Sequence, residues 1–261
     1  MTILTSTANP RFRAALGLRE RRQRERSGLT IVDGVREIDR AIRAGVEVVD
    51  LFAAPEACTS PACRSLLDRV PGWTPVAPGL IDRLGYGDRA DGAVAIVRTP
   101  STALAHLRLP EAPLLVVLEA VEKPGNAGAV LRTADAAGAD ALLLAEPRTD
   151  PFNPNAIRAS LGTAFSVPIG AASTADVRAF LDTHGIRIVT ARVDATTAYP
   201  AVDLRGAVAI VLGSEAGGLS GAWVGDDVTA IRLPMRGVAD SLNVSVTAGV
   251  LLYEAQRQRT T

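Results

Sequence analysis

Three short stretches of this chain gather the side chains able to do chemistry, and each carries glycine. The first, "EKPGNAGAVLRTADAAG", sets Asn126 between Gly125 and Gly128, with Arg132 one and a half helical turns beyond. The second, "VLGSEAGGLS", lodges Glu215 among Gly213, Gly217 and Gly218. The third, "LPMRGVADSLNVS", turns through Gly237 and sets Ser241 and Asn243 at the mouth of the final helix. An Asn between glycines suits a tight turn, where its amide bonds to nearby backbone. A guanidinium matches the oxygens of a phosphate. Glu215 reads either as a capping carboxylate for a short helix or as a group that orients a ligand or a catalytic partner. Capping alone accounts for one of Ser241 and Asn243, not both.

All three stretches follow strand-like runs: "LLVVLEAV", "AVAIVLG" and "VTAIRLP". Such continuous apolar runs are typical of strands buried on both faces. Three more strands, "ALLLAEP", "FSVPIG" and "IRIVTAR", alternate with helical segments "NAGAVLRTADAAG", "NPNAIRASLG", "TADVRAFLDTHG" and the C-terminal helix. That alternation predicts a mostly parallel sheet covered on both faces, with ligands bound beyond the C-terminal ends of its strands. In the last helix the spacing predicts burial of Leu242, Val246, Val250 and Tyr253.

Upstream of this lies a smaller α/β region. Asn9–Pro10 predicts a helix start and Gly28 its stop. "LTIVDG", "VEVVDLFAA", "WTPVAP" and "GAVAIVRTP" read as strands, with short helices between them. The organisation expected is residues 1–99 as a first domain, 100–112 as a proline-punctuated linker and 113–261 as a second domain. Within the first helical segment, Arg19, Arg21, Arg22, Arg24 and Arg26 crowd nearly two turns. Together with Arg11 they form a candidate phosphate-contacting surface, a solvated helix face being the alternative.

Composition narrows the classes. The 261 residues carry 28 basic and 28 acidic side chains, so any nucleic-acid surface has to be a local patch. No apolar run reaches the roughly 18 residues of a membrane span, and the N-terminus has no signal pattern, so a cytoplasmic protein is expected. Cys58 and Cys63 have no neighbouring histidine or second Cys pair, which argues against zinc and for free thiols. His106 and His184 show no ligand or nucleophile spacing, and no metal is expected. Lys123 is the only lysine in a chain whose basic charge is otherwise arginine.

Taken in order, the three loops resemble the SpoU (TrmH-type) family of RNA ribose 2′-O-methyltransferases. "NAGAVLRT" is similar to its N-x-x-A/G-x-x-R-T motif, "GSEAGG" to its G-x-E-x-x-G motif, and "LPMRGVADSLNVS" to its closing signature. "NPNAIRASLGTAFSVP" resembles a stretch between the first two. The segment "STANPRFRAALGLRERRQRERSGLTIVDG" resembles the substrate-binding extension of ribosomal-RNA members, with Asp33 in place of the usual Glu.

The resemblance implies a SPOUT domain with a deep C-terminal trefoil knot, preceded by a ribosomal-protein-like RNA-binding domain. It implies S-adenosyl-L-methionine held by backbone groups at Leu212, Gly213, Leu233, Met235, Ser241, Leu242 and Asn243. It also implies a homodimer with the active site at or near the interface, and a ribose 2′-hydroxyl of RNA, most readily 23S ribosomal RNA, as acceptor. Arg132, Asn126, Glu215, Ser241 and Asn243 are the catalytic set so implied, with Arg132 as base or phosphate clamp. A tRNA 2′-O-methyltransferase and a non-catalytic RNA-binding module of the same fold are the alternatives. A nucleotide-dependent oxidoreductase is disfavoured, because the first loop reads G-x-x-G rather than G-x-G-x-x-G.

Overall fold

The computed structural model describes residues 3–85, 91–215 and 217–260. The chain forms two compact units: residues up to Pro100 with Asp150–Ser166, and Ser101–Thr149 with Val167 onward.

In the first unit, α1 (Pro10–Gly17) starts where the sequence indicates, with the Asn9 side chain accepting from Arg11 N at 2.9 Å and Pro10 in the first turn. The expected single helix is broken, however. At Glu20 the backbone becomes extended before α2 (Arg21–Ser27) begins, and Leu18 in the break is buried. Then follow β1 (Leu29–Asp33), α3 (Val35–Arg43), β2 (Val48–Ala53), α4 (Pro61–Arg69), β3 (Thr74–Pro75), α5 (Pro78–Leu84) and β4 (Ala93–Arg98). The sheet order is β1-β4-β2-β3, antiparallel except between β2 and β3. Phe12, Leu18, Ile31, Phe52, Ile81 and Ile96 share its core. Cys58 and Cys63 form a disulfide, with Cα atoms 5.4 Å apart, where the sequence pattern had favoured free thiols. The cause is local: Ser60 caps α4 by accepting from Cys63 N, which brings the chain back towards Cys58.

The second unit is built on β5 (Leu114–Glu119), α6 (Pro124–Ala137), β6 (Ala141–Ala145), β7 (Ile169–Ala172), α8 (Thr174–Thr183), β8 (Arg187–Ala191), β9 (Thr197–Ala198), β10 (Val208–Leu212), β11 (Val228–Arg232) and α9 (Val244–Arg259). Its seven strands run in the order β7-β6-β5-β10-β8-β11-β9, and every pairing is parallel. Alternate residues face opposite sides. Leu115, Val117, Leu143 and Val211 join Val177 and Leu181 of α8 in one core, while α6 and α9 pack together, α6 against β6 and α9 against β5 and β10. The stretch expected to be a linker is no free tether. Leu104, Leu107 and Leu109 pack on the α8-side core, and a side chain on Gly170 would collide with Leu104 and Leu143.

Two further expectations change. The buried stripe of α9 is Val244, Ala248, Leu251, Leu252 and Ala255. Val246 and Tyr253 are half exposed and Leu242 is exposed as well. The helix starts at Val244, after the capping Asn243, so the inward face falls elsewhere than the spacing predicts. The segment Asp150–Ser166, with α7 (Pro154–Ala159), packs with the first unit, although its place in the sequence lies within the expected second domain. Arg24 explains much of this: it is 3 % exposed, pairs with Asp150 at 2.6 Å and donates to the Leu18 and Arg19 carbonyls. Arg158 pairs with buried Asp33, and Arg40 donates to the Leu161 carbonyl.

Candidate functional site

Parallel register brings the three glycine loops to one edge of the second sheet. Leu118 pairs with Leu212, so β5 and β10 end side by side. Ile231 pairs with Ala191, so β11 ends beside β8. Beyond these ends lies an open cavity of about 470 Å³. Small-molecule sites typically occupy roughly 300–1,000 Å³.

Six of the seven residues expected to bind the cofactor line this cavity: Leu212, Gly213, Leu233, Met235, Ser241 and Leu242. Asn243 does not line it. Glycine is needed at 213 because any side chain there would run into the backbone of Gly218. That close approach lets Ser214 N donate to Gly218 O at 3.1 Å and Gly218 N to Ser214 O at 3.0 Å, closing the loop on itself. The far end of the loop is tied to Glu119, which is 3 % exposed and accepts from Ser220 N and Oγ, each at 2.7 Å, and from Thr174 Oγ1 at 2.9 Å. Burying a carboxylate is costly unless its oxygens are satisfied, and these are.

The polar residues of the three loops meet in one hydrogen-bonded cluster. Asn126 Nδ2 donates to Glu215 Oε1 at 2.6 Å, and Asn243 Nδ2 donates to the same oxygen at 2.9 Å. Asn243 Oδ1 accepts from Ser245 N at 2.9 Å and from Ser245 Oγ at 2.6 Å, so its side chain caps α9 and reaches Glu215 at once. That double duty answers why a cap alone did not account for the polar residues there. Lys123 Nζ lies 2.7 Å from Glu215 Oε2. The hydrogen bonds from Lys123 and then Asn126 hold the Glu215 carboxyl below its ordinary range, and Glu215 in turn pushes the Lys123 ammonium up.

Other expected residues fall outside this cluster. Ser241 faces the cavity without joining the network of Asn126, Glu215 and Asn243. Arg132 is exposed on α6 and makes no hydrogen bond or ion pair among the described residues. In the first unit, Arg24 is buried and spent internally, which removes it from the RNA-contacting set. Arg19 donates to the Leu84 and Gly85 carbonyls, and Arg11 to Asp50 and Thr74. Arg21 pairs with Glu25 on the surface. Arg22 and Arg26 are exposed.

Sequence reasoning missed Lys123, Ser245 and the wall formed by Ala191, Arg192, Val193 and Asp194 at the end of β8. Arg192 Nη2 pairs with Asp194 at 2.7 Å there, and Arg192 N donates to Ile231 O at 2.8 Å. No motif marks that wall. The only available signal was a strand end beside two loops already suspected.

Comparison with known proteins agrees with this geometry. Residues 113–253 match the SpoU rRNA Methylase family, and residues 9–95 match the MRM3-like substrate binding domain. The chain is 33% identical, over 97% of its length and 92% of the relative's, to the 23S rRNA (uridine(2479)-2'-O)-methyltransferase of Streptomyces viridochromogenes. Among solved structures, one described as an RNA 2'-O ribose methyltransferase is similar at 39% identity, TM-score 0.89 and full coverage of both chains. The SpoU methyltransferase AviRb from Streptomyces viridochromogenes, in complex with the cofactor AdoMet, is similar at 32% identity and TM-score 0.88, covering 97% of this chain and 99% of that one.

Proposed function

The chain belongs to the SpoU rRNA methylase family, and from that premise we propose that it transfers the methyl group of S-adenosylmethionine to a ribose 2′-hydroxyl of 23S ribosomal RNA. The observation that carries this reading is the meeting of Asn126, Glu215 and Asn243, one from each loop, beside a cavity walled by six of the seven residues expected to hold the cofactor. The test is transfer of a labelled methyl group to ribosomal RNA lacking the modification, with the position mapped by reverse-transcriptase stops. Calorimetry is expected to show binding of S-adenosylmethionine or its demethylated product, and none of NAD. Cofactor binding without transfer to any RNA would leave the non-catalytic module; transfer to tRNA alone would move the substrate.

The cavity fits the cofactor in size, and the Gly213–Gly218 crossing presents bare backbone to it. Backbone groups at Leu212, Gly213, Leu233, Met235, Ser241, Leu242 and Asn243 are the proposed holders. When bound, S-adenosylmethionine supplies a methyl group on a positively charged sulfur. What remains for the protein is to align the ribose oxygen, manage its proton and exclude water. The Asn126–Glu215–Asn243 cluster fixes the loops that do the aligning. Arg132 is proposed as a phosphate clamp beside the reacting ribose, since a guanidinium stays protonated and makes a poor base.

The proposal extends to a homodimer whose interface includes the exposed apolar side of α9; exposed Val246 and Tyr253 support it. Arg132, unbonded among the described residues, would complete the site at or near that interface. Residues 1–99 are proposed as the RNA-binding domain, with Arg22 and Arg26 the arginines of α2 best placed to meet phosphate. Threading of α9 through a trefoil knot belongs to the same reading, supported by similarity to SpoU structures. No helix among the described residues is long and apolar enough to cross a membrane, and a ribosomal-RNA substrate supports action in the cytoplasm.

A further inference from the structure

The chain has 28 basic side chains, and only Lys123 is a lysine. It stands immediately before α6, at the cap position, with no side-chain capping bond. A cation there opposes the helix dipole. Its partner is the carboxylate that joins the three loops, at 2.7 Å. The Lys123 side chain is 72 % exposed and Glu215 34 %, so water competes for both. Exposed ion pairs add little to stability, because water and salt screen them. Stabilising the fold is therefore a poor account of why this ammonium sits there.

The geometry around Glu215 supplies a better one. Oε1 takes the amides of Asn126 and Asn243, and Oε2 takes Lys123. Two amide donors share Oε1 most strongly while the carboxylate is ionised and turned this way. An ammonium is a point donor that occupies one oxygen. A guanidinium fork prefers both oxygens and would compete with the amides. We propose that Lys123 is a positioning residue of the transfer site, locking Glu215 in the orientation from which Asn126 and Asn243 both donate and so holding the three loops in register. The inference rests on the methyl-transfer reading above.

Lys123 on the first loop is the charged group acting on Glu215 among the described residues; α6 and the α9 cap contribute the neutral amides of Asn126 and Asn243. Removing the ammonium lets the carboxyl rise towards its ordinary value, so activity is lost at a higher pH on acidification. Because this is the only lysine, amine chemistry reaches just it and the chain's α-amino group.

The experiment compares wild type, Lys123→Met and Lys123→Arg, with reductively methylated and acetylated wild type, in methyl transfer to unmodified ribosomal RNA. Lys123→Met is expected to lower kcat about 10- to 100-fold, about 1.4–2.7 kcal/mol, with KM for RNA changed less than threefold. Its melting temperature is expected to stay near that of wild type, and the acid limb of its kcat profile to move up. Acetylation, which removes the charge, is expected to mimic it; methylation, which keeps the charge, is expected to spare activity. Lys123→Arg is expected to fall short of rescue. Wild-type kcat in Lys123→Met, or a rise in KM for RNA alone, overturns the proposal, the latter showing a mere phosphate contact. If the variant folds poorly, acetylated wild type takes its place, and full activity after acetylation overturns the proposal equally. An inactive wild type overturns the parent reading instead.

Discussion

Arg132 separates residue chemistry from fold. It is exposed on α6, outside the Asn126–Glu215–Asn243 cluster. Truncating it disturbs no bond among the described residues, so its loss reports on the reaction alone. Arg132→Ala is expected to lower turnover at least about 100-fold, roughly 2.7 kcal/mol, while the affinity for S-adenosylhomocysteine stays within a few-fold. Near-normal turnover would remove Arg132 from the site. At this scale the sequence was informative about residue type. Asn126, Glu215 and Asn243 were named from their loops and do meet. Lys123 was visible only as a compositional oddity, because a pairing with a residue as distant along the chain as Glu215 leaves no trace in spacing.

The loop closed at Gly213 decides the cavity at the scale of elements. Ser214 and Gly218 exchange backbone hydrogen bonds over it, and Glu119 holds its far end through Ser220. Gly213→Ala forces the crossing apart. The expected result is at least about a tenfold loss of S-adenosylhomocysteine affinity by calorimetry, with the far-ultraviolet circular dichroism unchanged. Unaltered affinity would show that the crossing does not shape the site. The strands themselves were legible from continuous apolar runs, because burial on both faces leaves that pattern. The orientation of α9 was not. Both sides of that helix are apolar, and only packing against α6 and the sheet selects Val244, Ala248, Leu251 and Leu252 as inward.

The whole molecule turns on what the exposed side of α9 is for. Isolated apolar side chains on a surface are ordinary, so the proposed dimer needs its own test. A Val246→Asp, Tyr253→Glu double variant is expected to sediment as a monomer and to lose transfer activity, with its fold retained. A wild type that sediments as a monomer, or a fully active monomeric variant, would refute the dimer reading. At this scale the chain also departs from its linear order. Asp150–Ser166 lies between β6 and β7 in sequence yet packs with the first unit, drawn there by the Arg24–Asp150 and Arg158–Asp33 pairs.

Read alone, the sequence determined the class of fold, the three loops and the polar residues they carry. Periodicity and turn chemistry are local properties, and a motif records which side chains a loop offers. Tertiary structure alone decided where those side chains end. It buried Arg24, left Arg132 exposed and set Lys123 on Glu215. The physical reason is that burial and charge pairing are made between residues far apart in the chain, and one arginine in a row of five looks like the next until packing assigns it a partner.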